Sequence, residues 1–85
     1  MKKIVETVEG EGLDKFLGEK VLLLCANYFY AGVLKGVNTD CVLLEDASIV
    51  YETGAWTDKK YQDAQPLGFP IYVHKGMIEA FGEGK

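Results

Sequence analysis

Read as a string of apolar and polar positions, the chain changes character at Gly12. Residues 1–10 mix Lys and Glu with Ile4, Val5 and Val8 in no firm period, and are expected to form a loose arm or a short edge strand. Leu13, Phe16 and Leu17 then fall at i, i+3 and i+4, one face of a helix, and Gly18 follows where a helix stops, so one or two helical turns are predicted. Val21 to Ala26 is a continuous apolar run bounded by Gly18 and Asn27, too short for a helix and apolar on both faces of a strand. One face is expected to line the core and the other to lie under the Leu13/Phe16/Leu17 helix.

Asn27 turns the chain, and Tyr28 to Leu34 has the aromatic and β-branched composition of a returning strand. Gly32 and Gly36 share one face of it, which points to a strongly curved strand and so to a small barrel. In Cys41–Tyr51 (CVLLEDASIVY), simple alternation puts Val42, Leu44 and Val50 on one face and Leu43, Ile49 and Tyr51 on the other. The polar Glu45-Asp46-Ala47-Ser48 at its centre marks a bend or bulge. Residues 54–66 (GAWTDKKYQDAQP) are the extended polar segment, read as a loop or outward hairpin within a long connection over 54–70. Ile71–His74 and Met77–Phe81 read as two short strands around Lys75-Gly76, and the tail 82–85 is expected to fray. The sum is one all-β domain over 1–85, a short N-terminal α-helix followed by a strongly bent five-stranded antiparallel barrel of the SH3-like kind.

Composition narrows the possibilities. At 85 residues the core is thin, and self-association would add burial, while 48% hydrophobic against 26% charged residues describes a chain that folds. No run approaches a membrane span, and Glu6 and Glu9 interrupt the N-terminus before any apolar signal core, so a cytoplasmic protein without a membrane partner is expected. Cys25 and Cys41 sit in Val/Leu runs and are expected to be free thiols. The net charge is −4 and the pI about 4.8, a field that repels phosphate, and all nine basic residues are lysines. Any nucleic-acid contact must therefore be local and must do without the bidentate arginine fork. No C-x-x-C or H-x₃-H spacing exists, so no metal or other cofactor is expected, and the absence of a nucleophile motif argues against an enzyme.

Two stretches carry a family resemblance. Leu17-Gly18-Glu19-Lys20-Val21, Gly32-Val33-Leu34-Lys35-Gly36 and Val42-Leu43-Leu44-Glu45-Asp46-Ala47 are similar to the first motif of the Sm-like (LSm, Hfq-type) family, a hydrophobic strand, a G-x-L strand and a "vL-x-D-A" strand. Tyr72-Val73-His74-Lys75-Gly76-Met77-Ile78 resembles its second motif, a strand ending in Arg-Gly. The resemblance spans residues 13–81 and implies a homo-oligomeric ring of about five to seven subunits, closed by strand four of one copy pairing with strand five of the next. Its interface would draw on Ile71, Tyr72, Val73, Met77, Ile78 and Phe81.

The resemblance also implies a single-stranded RNA site, built from Asn38, Thr39 and Asp40 in one loop and His74, Lys75 and Gly76 in another. There a base stacks on a ring, an Asn or Asp reads its edge, and a cation holds the phosphate. Against the family's Asp-x-aromatic-x-Asn pattern, Asn38-Thr39-Asp40 is about one residue shorter, has Asn and Asp exchanged and lacks the aromatic, and Lys75 stands for Arg. His74, Tyr28 and Tyr30 are the rings within reach. As plain chemistry, Asn38-Thr39-Asp40 is equally a strand reversal, a lone His74 on a strand is commonly a packing residue, and Trp56 with Lys59-Lys60-Tyr61 is a solvated loop whose field Asp58 and Asp63 cancel. The competing expectation is a ring-forming structural or protein-interaction module that has lost the RNA site.

Overall fold

The computed structural model describes residues 12–85. The expected N-terminal arm, residues 1–10, lies outside the described residues. Gly12–Phe16 forms a 3₁₀ turn instead of the expected α-helix. The segment is only five residues long, and so short a piece closes i→i+3 bonds more readily than a full α-turn. Six strands follow: β1 Lys20–Cys25, β2 Phe29–Val37, β3 Cys41–Glu52, β4 Asp63–Pro66, β5 Ile71–His74 and β6 Ile78–Glu83. A second 3₁₀ turn, Lys75–Met77, joins β5 to β6, so Met77 belongs to the turn and not to the last strand. The added strand is β4, inside the segment expected to be a loop or an outward hairpin, and it lies back along β3. There Ala64 pairs with Val50 and Gln65 with Ile49, and cross-strand partners override a polar composition that reads as loop.

The strands form one antiparallel sheet in the order β4-β3-β2-β1-β6, with β5 also on β3. β3 is long enough to serve two neighbours on one edge, Cys41–Leu44 pairing with β5 and Ser48–Glu52 with β4. Among the described residues the hydrogen-bonded path stays open between β6 and the β4/β5 edge, so their backbone pairing does not close a barrel.

Two bulges interrupt the pairing of β2 with β3. Between the pairs Ala31↔Ser48 and Val33↔Glu45, β2 contributes Gly32 while β3 contributes both Asp46 and Ala47. Asp46 absorbs the extra residue at φ 50°, a left-handed conformation that Asp tolerates better than most residues. A one-residue insertion reverses the inward and outward positions beyond it. Val42, Leu44 and Ala47 therefore share one core with Val21, Leu23, Cys25, Leu34 and Val73, whereas Val50 turns to a second cluster with Leu22 and Ala31. The expected grouping of Val50 with Val42 and Leu44 fails for this reason. Lys35 is the opposite insertion, in β2, between Leu34↔Leu44 and Gly36↔Leu43.

Both faces of β1 are buried, as its apolar run requires, but the covers differ from expectation. Leu13 and Phe16 pack on the Val21/Leu23 side, within the main core. The Leu22 side is closed by Tyr61 and Ala64, from the connection after β3 and from β4. Nor is the tail loose: Gly84 N–H donates to Lys20 O at 3.0 Å and Lys85 N–H to Tyr61 Oη at 3.0 Å.

The two β2 glycines are not equivalent. A Cβ on Gly32 would stand 2.8 Å from Glu45 O and 3.3 Å from Ala47 Cα, whereas one on Gly36 would meet only Leu43 Cβ at 3.6 Å. Gly32→Ala is expected to lose about 1–3 kcal/mol by overpacking, and Gly36→Ala to change stability by less than about 0.5–1 kcal/mol. Paired urea-unfolding midpoints decide between them; equal losses at the two positions would contradict the close-approach account.

Candidate nucleic-acid interface

The two loops singled out in the sequence meet at one end of the sheet. Cys41, which follows the first loop, pairs with His74 at the end of β5, and Lys75 N–H donates to Asp40 O at 2.8 Å. Asn38, Thr39 and Asp40 thus lie beside His74, Lys75 and Gly76, which are distant in the chain.

Asn38 is committed to the turn. Its Oδ1 accepts from the N–H groups of both Asp40 and Cys41, each at 2.8 Å, while its own N–H donates to Cys41 O at 3.0 Å. This is the local side-chain mimicry of backbone that makes Asn a turn former. With both acceptor positions of Oδ1 used, Asn38 has its Nδ2 amide left, a donor only. The Asp40 carboxylate and Thr39 stand exposed beside it.

In the second loop His74 is exposed, Lys75 is half-buried and Gly76 faces open space. Lys75 lies in a shallow cleft of about 310 Å³ with Asp14, Val37 and Phe81 among its neighbours. It forms no ion pair among the described residues, where the single pair is Lys35 Nζ with Glu45 Oε2 at 4.0 Å. His74 also borders a larger groove of about 440 Å³, whose walls include Tyr28, Tyr30, Phe69 and Tyr72. Tyr28 and Tyr30, the rings expected within reach, thus line the same groove as His74, Tyr28 meeting Tyr30 edge-on at 6.3 Å and Tyr51 at 6.4 Å. Phe69, 59% exposed, went unnoticed in the sequence because it stands alone between Gly68 and Pro70, outside any strand pattern.

The expected interface residues divide. Tyr72 and Met77 are exposed, at 71% and 45%. Ile71 and Ile78 are half-buried against the main core, and Phe81 packs edge-on against Phe16 at 6.3 Å. Val73 is 6% exposed and its side chain belongs to the core of its own chain, so it has only its backbone to offer a neighbour. β5 pairs with β3 and β6 with β1, and among the described strands neither has a partner on its other edge.

Both cysteines are free thiols. Burial, and secondarily the negative charge of Glu79, push the Cys25 thiol above its ordinary value of 9.0. Glu79 is the extra residue of a bulge between Leu24↔Ala80 and Cys25↔Ile78, which accounts for its closeness. No group of three or more His, Cys, Asp and Glu suited to a metal ion occurs among the described residues, nor does any helix long and apolar enough to cross a membrane. Compared with models of known protein families the chain matches none, and a search of curated proteins finds no significant match.

Removing the Asn38 acceptor leaves two backbone donors to water and a looser turn. Asn38→Ala should cost about 1–2 kcal/mol in urea unfolding, and Asn38→Asp, which keeps an acceptor oxygen, clearly less. For Cys25 the raised folded-state value means that its contribution is complete below the ordinary thiol pKa and is lost as pH rises through the raised one. Stability of the native chain should therefore fall more steeply above about pH 9 than that of Cys25→Ala; superimposable profiles would contradict the assignment.

Proposed function

We propose that this chain is an Sm-like module that assembles into a homo-oligomeric ring and binds single-stranded RNA at the end where residues 38–40 and 74–76 meet. The observation that carries the reading is that meeting itself, with Lys75 N–H bonded to Asp40 O at 2.8 Å and Cys41 paired with His74. A base needs a ring to stack on, a group to read its edge and a cation for its phosphate. His74 and the tyrosines of the adjoining groove supply rings, Asn38 Nδ2 and the Asp40 carboxylate supply a donor and acceptors, and Lys75 supplies an ammonium without an ion-pair partner among the described residues. Ring formation is supported by the strand order, which leaves β5 on one side of the sheet and β6 on the other, each with one edge unpaired among the described strands. Repeated head-to-tail pairing of such edges closes when the rotation permits, at about five to seven copies. Repetition around the ring then multiplies a weak loop site through effective concentration.

A second reading is favoured by a specific observation. Asn38 Oδ1 is saturated by its own turn, and the chain carries a net charge of −4 with no arginine. This is the reading of a ring that serves an architectural or protein-binding role without RNA.

Two measurements test these readings, the first their shared ring and the second the RNA that divides them. Light scattering coupled to size exclusion should give a discrete oligomer, and a 9.4 kDa monomer at micromolar concentration would remove both. Titration of labelled oligo-U and oligo-A should raise anisotropy most at low salt, and Lys75→Ala and His74→Ala should each weaken binding. No change below about 100 μM protein at low salt, where phosphate contacts are strongest, leaves the architectural reading standing.

A further inference from the structure

The last residue of the tail occupies a site of a different kind. Lys85 Nζ donates to three backbone carbonyls, Thr53 O at 2.7 Å, Ala55 O at 2.8 Å and Lys60 O at 3.3 Å. It also stands 5.3 Å from the Tyr61 ring centroid and 5.5 Å from that of Trp56. A primary ammonium has three N–H donors, and this site presents three acceptors together with two π faces at cation–π range. We infer that the 53–61 connection forms an ammonium-binding cage, and that Lys85 fills it as an intramolecular ligand that locks this connection over the second apolar face of the sheet.

The backbone around the cage is built for that occupancy. Lys85 N–H is held by Tyr61 Oη and Gly84 N–H by Lys20 O, each at 3.0 Å, so the side chain is delivered from a docked segment. A Cβ on Gly84 would stand 2.8 Å from Val21 O and 3.2 Å from Tyr61 Oη, an approach closed to any other residue. Tyr61 is the link to packing, because the ring whose face meets the ammonium also covers the Leu22, Ala31 and Val50 cluster. The chemistry sets the selectivity. A quaternary ammonium has no N–H for the three carbonyls, and a guanidinium presents its donors in a planar fork and not as a compact tripod.

The test is backbone and side-chain NMR on the full chain. In the native protein the Lys85 ε-methylene protons should be shifted upfield by the two rings relative to the other lysines; average lysine shifts would overturn the cage without any variant having to fold. In Lys85→Ala and Lys85→Gln, exchange of the Asp58 amide, which closes the loop onto Ala55 O at 3.0 Å, should rise about tenfold as the local lock is lost. n-Butylammonium at on the order of 50 mM should restore much of that protection in Lys85→Ala, as expected for a millimolar site. Tetramethylammonium at the same concentration should not. Unchanged exchange in both variants overturns the lock, and equal effects of the two ammonium ions overturn the cage.

Discussion

Between Gly32 and the Asp46–Ala47 bulge the two central strands approach more closely than any side chain allows, with Glu45 O 2.8 Å from where a Cβ would stand. That approach lets β3 carry one extra residue past β2, and the extra residue exchanges the two faces of the second half of β3. Ala47 thereby joins Val42 and Leu44 in the main core, and Val50 is sent to the other side. A straight β3 in strict alternation would leave Ala47 opposite Val42 and Leu44, and the main core would lose its continuity along the strand.

A domain of 85 residues has little apolar mass to divide between two faces, yet β1 buries both of its own. The main face has a conventional interior, with Leu23, Leu34 and Leu44 fully enclosed. The second face is covered by material that reads as surface: a polar connection and the four-residue β4. Tyr61 serves both the apolar cluster and the Lys85 ammonium, so packing on that face and the polar contacts of the tail depend on one ring.

Much of this was legible in the residues. The strands of β1, β2, β3 and β5 stand close to where apolar and β-branched runs place them, and the polar Glu45–Ser48 interruption is the bulge it was read as. What could not be read was the consequence of the bulge, since alternation counted through an insertion assigns every later side chain to the wrong face. β4 was hidden because Asp63-Ala64-Gln65-Pro66 has no strand composition and is held by its partner on β3. The tail was hidden because glycine and lysine at a chain end signal looseness, while here glycine permits a close approach and lysine finds acceptors that exist only after folding. At the candidate interface, residue types and loop adjacency were readable. The internal use of Asn38 Oδ1 was one of two open readings, because a turn former and a base reader are the same side chain.

The edge of β3 is shared by two strands of four residues each, and β5 is bracketed by Pro70 on one side and a 3₁₀ turn on the other. At about 3.3 Å per residue, the outer edge of β5 is some 13 Å long. A strand laid along so short an edge would forfeit half of the available pairing by slipping two residues, so four residues fix register more sharply than a long edge does. So short an edge is also a poor template for the unlimited stacking to which long bare edges are prone.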